Sequence, residues 1–265
     1  MSSKLKKIVG IGVVLFLIVA AFGYLKLIKS NTAFQENEKY VYIPSGSSYQ
    51  EAKKIISPLI EDIEGFESIA SLRGYTEKVK SGKFLLKKGM GNLKLVSALR
   101  SNTPVTISFN NQERLENLVE RIDKKLEPTA TELIESFTNE KFLANNGLTK
   151  EDVFVMFLPN TYEFYWDTSA DKFRDKMLDE YKKFWNEERI AKTKKLNLTP
   201  VQVAILASIV HKETVKADER PRVAKAYLNR LDLGMPLQAD PTVIYSKKLV
   251  DNNFDQVIKR VYYSD

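Results

Sequence analysis

The stretch YVYIPSGSSYQEAKKIISPL, residues 40–59, changes its hydrophobic period halfway along. Tyr40-Val41-Tyr42-Ile43 reads as a strand and Pro44-Ser45-Gly46 as a turn. Ser47 or Ser48 is placed to cap a helix in which Ala52, Ile55, Ile56 and Leu59 recur at helical spacing. A weaker copy follows, with Phe84-Leu85-Leu86 as strand, Lys88-Gly89 as turn and Asn92 as cap. Its helix face is Leu93, Leu95, Val96 and Leu99, and Gly46 aligns with Gly89 as Ile43 does with Leu86. Each copy is a strand–turn–helix unit too small to bury its own apolar face. A third passage runs from the strand Val105 to Phe109 into a helix through Leu115, Leu118 and Ile122. Strands interleaved with amphipathic helices put the chain in the α+β class.

N-terminal to this pattern, Ser30 to Glu38 (SNTAFQENE) reads as a polar linker. Before it, Ile8 to Leu25 (IVGIGVVLFLIVAAFGYL) carries no charged side chain. At ~1.5 Å per residue that run is about 27 Å long, close to the hydrocarbon thickness of a bilayer. Lys4, Lys6 and Lys7 precede it, and Lys26 and Lys29 follow. Ala21-Phe22-Gly23 is a poor cleavage site, so the run reads as an uncleaved N-terminal single transmembrane helix rather than a removed signal peptide. The lysines on the two flanks nearly balance. The short leading tail and the large polar part behind it place the N-terminus in the cytoplasm and the remainder outside. Inner-membrane lipid is then a partner through residues 8–25.

Composition narrows the chemistry. The 265 residues include no cysteine and one histidine, His211. A disulfide framework, a cysteine nucleophile, a Cys-based zinc site and any two-histidine metal motif are therefore excluded. A Ser–His–Asp hydrolase is disfavoured too, since no G-x-S-x-G elbow occurs. Catalysis, if present, falls to carboxylates. The net charge of +7 suits an anionic partner, yet no nucleic-acid signature accompanies it. Much of that charge, including Lys182, Lys183, Lys192, Lys194 and Lys195, lies on one long amphipathic helix expected over Asp171 to Lys195, with Phe173, Met177, Tyr181 and Phe184 on its apolar face. No nucleic-acid partner is expected.

Ahead of that helix, Phe154-Val155-Met156-Phe157-Leu158 is an apolar run ending at Pro159, followed by the aromatic stretch Asn160-Thr161-Tyr162-Glu163-Phe164-Tyr165-Trp166. Such aromatics either stack on sugar rings in a cleft or fill a core, and the sequence leaves both readings open. Beyond it, Thr199-Pro200 starts a helix, with Thr as cap and Pro in the first turn, that runs to about Lys216. At about 100° per residue from Leu206, Val210 lies near 40°, Val203 near 60° and Ile209 near −60°. Glu213 falls near −20°, within that stripe, while His211 and Lys212 fall well off it. Either Glu213 continues the buried face, which disfavours its charged form and suits a proton donor, or it turns outward beyond the core. A further helix spans about Glu219 to Asp232, with Val223, Ala224, Tyr227, Leu228 and Leu231 as its apolar face, and Gly234 stops it. Met235 to Tyr245 (MPLQADPTVIY) reads as an extended segment beside a cleft.

Three stretches carry a family resemblance: Ala207-Ser208-Ile209-Val210-His211-Lys212-Glu213-Thr214, Asn229-Arg230-Leu231 and Met235 to Tyr245. With Phe157-Leu158-Pro159-Asn160-Thr161-Tyr162 ahead of them, they resemble the MltG-type (YceG-like) endolytic murein transglycosylases. The strand–Gly–Ser–helix pattern is similar to a LysM-like glycan-binding module, though a small α+β packing unit without ligand accounts for it equally. The resemblance implies an N-terminal tail and anchor (1–29), a linker with a LysM-like subdomain (30–102) and a mixed α/β catalytic domain (103–265). It implies a lyase that cuts the MurNAc–GlcNAc β-1,4 bond within peptidoglycan glycan strands and leaves 1,6-anhydro-MurNAc ends. No cofactor and no metal are implied. Glu213 would be the catalytic acid, with Gln238, Asp240, Asn229, Thr242 and Tyr245 binding substrate. Many family members have a Glu where this chain has His211, which leaves Glu213 alone in that role. Members also continue into Asn-Thr-Tyr and Gly-Leu-Pro-Pro-Gly segments, so this chain reads as most of a longer protein. Its partners would be glycan strands and wall-synthesis proteins, and its location the cytoplasmic membrane with the catalytic part outside. The alternative is a catalytically incomplete, membrane-anchored wall-binding or scaffold protein.

Overall fold

A computed structural model of the chain describes residues 11–17, 23–24 and 27–258. Its class is mixed α+β. Two antiparallel two-stranded sheets are joined by helices, and Cα packing divides the chain into two compact units. The first comprises Met1–Asn139 and Pro159–Arg174, the second Glu140–Leu158 and Asp175–Asp265.

The first unit begins with β1 (Glu38–Ile43), α1 (Tyr49–Ile56), a short 3-10 turn (Ser57–Leu59), α2 (Ile63–Leu72) and β2 (Gly82–Lys87). β1 and β2 pair antiparallel from Glu38↔Lys87 to Ile43↔Gly82. Alternation sends Val41, Ile43, Phe84 and Leu86 inward, where they meet Ile56, Phe66, Leu95 and Leu99 in one core. Ser48 caps α1 through a capping box with Glu51. Gly46 and Gly89 both take positive φ, 75° and 83°, so the paired glycines of the sequence repeat make the same kind of turn. The second helix start differs by one residue. Gly91 is the N-cap of α3 (Asn92–Ala98), and Asn92 is buried in the first turn.

The stretch expected to be a linker is instead docked. Ser30 bridges to Gly91 and Thr32 to Ile60, and Asn31 donates its backbone N–H to Met90 at 2.9 Å. Asn31, Thr32 and Phe34 are all buried. The Asn31 side chain reaches Asn92 Oδ1 (2.6 Å) and the carbonyl of Asp62 (2.8 Å), and it accepts from the Asp62 N–H. A polar run can bury itself this way because each amide finds a partner.

Next come β3 (Pro104–Phe109), α4 (Leu115–Asp123) and α5 (Ala130–Phe137), then β4 (Asn160–Tyr165), which pairs antiparallel with β3 from Pro104↔Tyr165 to Phe109↔Asn160. Here the core reading of the aromatic stretch holds for two residues. Tyr162 stacks on Phe109 with centroids 5.5 Å apart, Phe164 on Phe173 at 4.5 Å, and both are buried. The strand period selects them, since alternate residues of β4 face inward. The β-α-α-β part is tied on by Ser45, whose N–H donates to Glu127 at 2.7 Å, and by Ser81 and Asn102, which both donate to Asp167.

In the second unit every regular element among the described residues is helical, so the strands after residue 103, β3 and β4, lie in the first unit. The second unit contains α6 (Glu140–Asn146), and the apolar run before Pro159 begins in a 3-10 turn (Val153–Met156). The expected single helix Asp171–Lys195 is two helices, α7 (Ala170–Phe184) and α8 (Glu187–Lys195). Asn186 breaks it: its side chain accepts the Arg189 N–H at 3.0 Å and restarts the helix as an N-cap. Then follow α9 (Pro200–Glu213), α10 (Arg220–Asp232) and α11 (Asp240–Val250). Much of the expected anchor, Ile8 to Leu25, lies outside the described residues. Among the described residues no helix is long and apolar enough to cross a membrane.

Candidate active site

α9 starts where Thr199 and Gln202 form a capping box, with Pro200 fixing the first turn. It packs on α10 and α11, and Leu206, Val210, Tyr227 and Ala239 make a small core flanked by Ile209, Val223, Leu228 and Leu237. The helix ends at Glu213, short of the expected Lys216, because Thr214 turns to extended backbone (φ −138°, ψ 135°). Thr214 then donates its hydroxyl to Glu219 at 2.8 Å, at the entry to α10.

Glu213 settles between the two readings left open by the helical wheel. It is exposed, one turn past Val210, so it does not continue the buried face. It still lies on that side of α9, where its carboxylate is close enough to the Tyr227 phenol to act on it electrostatically. Tyr227 itself is 7% exposed, its ring held in the small core. Burial first, then the neighbouring Glu213 carboxylate and the charge of Asp240, push that phenol up to about 12, with Arg230 pulling the other way. The phenol is therefore a hydrogen-bond donor throughout the neutral range.

One turn further along α10, Arg230 Nη1 donates to the carbonyls of Pro236 (3.1 Å) and Leu237 (2.9 Å) and to Gln238 Oε1 (2.8 Å). Gln238 holds a left-handed backbone, φ 52°, which an ordinary side chain adopts at a cost of order 1–3 kcal/mol. Residues 240–245, expected to be extended, are the first turns of α11. Pro241 presets helical φ there, and Asp240 supplies a negative charge beside the helix's positive end. The alternation of polar and apolar residues in that stretch had the look of a strand only because the helix is half-exposed.

The structure thus gathers three of the expected site residues, Glu213, Gln238 and Asp240, around Tyr227 and Arg230. The other three are engaged elsewhere. Thr242 donates its hydroxyl back to Ala239 at 2.7 Å, Tyr245 packs edge-on against Phe254 at 5.8 Å, and Asn229 is exposed on α10. The sequence reading took Tyr227 as apolar helix face and gave Arg230 no role. A hydroxyl on an otherwise apolar stripe was the available signal, since a buried tyrosine needs a partner. Chemically the group offers one accessible carboxylate, a second carboxylate at the start of α11 and an amide held in place. That set can exchange a proton with, and hydrogen-bond to, a polar substrate.

Residues 41–263 match the model of the YceG-like family. An endolytic murein transglycosylase of Streptococcus pneumoniae is 25% identical over 265 aligned residues, covering 88% of this chain and 48% of that protein. A Bacillus subtilis protein of the same name is 26% identical over 228, covering 78% of this chain and 62% of that one. The chain therefore spans about half to three-fifths of the length of these curated relatives. A crystal structure of a yceG-like protein from Listeria monocytogenes aligns with a TM-score of 0.49 and 21% identity, over 87% of this chain and 80% of that one.

Proposed function

Because the chain belongs to the YceG-like family, we propose that it is a membrane-anchored endolytic lytic transglycosylase acting on peptidoglycan, with Glu213 as its catalytic acid and base. The observation that carries this reading is the accessible Glu213 carboxylate at the end of α9, with the α10–α11 turn that holds Gln238 and leads to Asp240 packed in the same small helical core. The names of the Streptococcus and Bacillus relatives support the substrate class.

In the proposed reaction, the Glu213 carboxyl gives its proton to the oxygen linking MurNAc C1 to GlcNAc C4, and the C1–O bond breaks with that electron pair on the leaving oxygen. Positive charge develops over C1 and the ring oxygen. The C6 hydroxyl of the same MurNAc then attacks C1 while its proton passes to the Glu213 carboxylate. The acid is regenerated, no water is consumed, and the new end is 1,6-anhydro-MurNAc. One carboxylate suffices because the nucleophile is intramolecular and gains the corresponding effective concentration. Gln238 and Asp240 hydrogen-bond the sugars on either side of the scissile bond.

The surrounding architecture serves that reaction. Ile8 to Leu25 holds the protein in the cytoplasmic membrane with the folded part outside, the LysM-like stretch 30–102 holds the glycan, and wall-synthesis proteins are its neighbours. The test is digestion of purified sacculi or nascent strands, followed by separation of the muropeptides. Anhydro-muropeptides are expected, and Glu213→Gln should lower their yield by about 10²–10⁴-fold, the contribution of a positioned acid. A variant as active as the unaltered chain sinks the assignment. Glycan capture without anhydro products from the unaltered chain indicates instead a wall-binding or scaffold protein.

A further inference from the structure

We propose that the outer face of the β1–β2 sheet is a glycan-binding surface of its own, on which Tyr40, Tyr42 and Trp166 stack against the pyranose rings of an amino-sugar strand and Lys83 meets a carboxylate borne by that strand. The inference rests on peptidoglycan being the substrate of the proposed reaction and deepens that reading.

Strand alternation divides the sheet. Val41, Ile43, Phe84 and Leu86 face the helices, so Glu38, Tyr40, Tyr42, Lys83, Leu85 and Lys87 face the other way. Across the strands Tyr40 pairs with Leu85 and Tyr42 with Lys83. Tyr40 is 45% exposed and Tyr42 42%, whereas Leu85 is half-buried, so the apolar surface offered here is aromatic. The rings are held in place. Lys83 Nζ lies over the Tyr40 ring, 4.0 Å from its centroid, and Tyr42 meets Trp166 edge-on with centroids 5.2 Å apart. Trp166 follows β4 and is fixed in turn, since its carbonyl accepts the Glu127 N–H at 2.8 Å. An edge-on contact uses the face of only one of the two rings.

A β-linked pyranose presents a flat face of C–H bonds rimmed by hydroxyls. Tyrosine and tryptophan match it, with an apolar body and a polar tip. A bilayer or a dry protein interface would strip water from the Glu38–Lys87 ion pair, 3.0 Å apart, and from Lys83, charges that interleave with the rings. A glycan strand is itself hydrated and leaves them wet. With Glu38 engaged by Lys87, the Lys83 ammonium has no ion-pair partner among the described residues, so the face favours a strand that carries negative charge.

The chain has two tryptophans, Trp166 and Trp185. In a Trp185→Phe, Glu213→Gln background the emission of Trp166 reports this face alone and the strands are not consumed. The full chain, in nanodiscs of phosphatidylethanolamine and phosphatidylglycerol, is titrated with two probes. One is soluble glycan strands stripped of their stem peptides, which leaves a lactyl carboxylate on each MurNAc, and the other is a neutral β-1,4 N-acetylglucosamine hexamer. Both should change Trp166 emission and shield the indole from acrylamide. Tyr42→Thr, which keeps strand propensity, should weaken both about 5- to 10-fold, and Tyr42→Phe by no more than about twofold. Lys83→Met should weaken the charged strands alone, about two- to fivefold, and remove the salt dependence of their binding.

No response of Trp166 to either probe, or unchanged affinity after Tyr42→Thr, overturns the proposal. So does a Trp166 already shielded before glycan is added, because the face then lies on the bilayer. No loss from Lys83→Met, or an equal loss for both probes, overturns the role of Lys83. Failure of the unaltered chain to release anhydro-muropeptides refutes the transglycosylase reading and leaves the binding result standing.

Discussion

Replacing Asn31 by alanine tests how the N-terminal strap is held. Its side chain donates to Asn92 Oδ1 at 2.6 Å and to the carbonyl of Asp62 at 2.8 Å, and accepts from the Asp62 N–H. Asn31 is 4% exposed and Asn92 2%, so the groups left behind gain little from water. At about 1 kcal/mol net for each of three hydrogen bonds, the loss is about 3 kcal/mol, with the buried Asn92 oxygen contributing the largest share. The assay is urea unfolding followed by near-ultraviolet circular dichroism. The midpoint should fall while the slope m stays unchanged, since the same surface is exposed on unfolding. Asn92→Ala alone removes one of the three bonds and should cost about 1 kcal/mol. A loss below about 1 kcal/mol for Asn31→Ala would mean that the strap is held by its backbone bridges, and the reasoning fails.

Two more outcomes follow from the same unit. A Cβ at Gly91 would stand less than 3.0 Å from the carbonyl oxygens of Ile28 and Lys29, and backbone atoms cannot swing aside as a side-chain tip can. Gly91→Ala should therefore lift the strap and expose the peptide bonds near residue 30 to limited proteolysis, and an unchanged cleavage pattern would count against it. Acid stability gives the second. The Ser48 and Thr129 N–H groups first, then their hydroxyls, hold the carboxyls of Glu51 and Glu132 below the ordinary 4.5. A depressed folded value contributes stability that is complete above the unfolded value near 4.5 and is lost as pH falls through the folded one. The Glu51→Gln, Glu132→Gln double variant should show a flatter decline in urea midpoint on acidification than the unaltered chain, and equal slopes would refute the assignment.

The parts legible in the sequence are those whose signal is local. The caps Ser48 and Thr199, with Pro200 and Gly234, each specify a backbone bond or a φ value within four residues, and each occurs where the spacing places it. β1 and β2 were readable from alternation. What escaped depends on partners far along the chain. Ser30 to Glu38 is polar, which ordinarily marks a linker, and nothing near Asn31 announces that Asp62 and Asn92 will satisfy it. The restart at Asn186 was hidden because the apolar face runs on through Tyr181 and Phe184. At the site, the wheel put Glu213 on the correct side of α9 but left open whether it is buried. The helix ends one turn beyond its last buried residue, and periodicity carries no information about where a neighbour stops. Tyr227 was readable as core, whereas the hold of Arg230 on the turn at residues 236–238 was not.

The docked strap also fixes a height. If Ile8 to Leu25 lies in the bilayer, only residues 26–30 separate it from Asn31, which is already part of the first unit's interior. Fully extended, that interval reaches at most about 20 Å. The β1–β2 part would then ride on a short mooring rather than float on a long line.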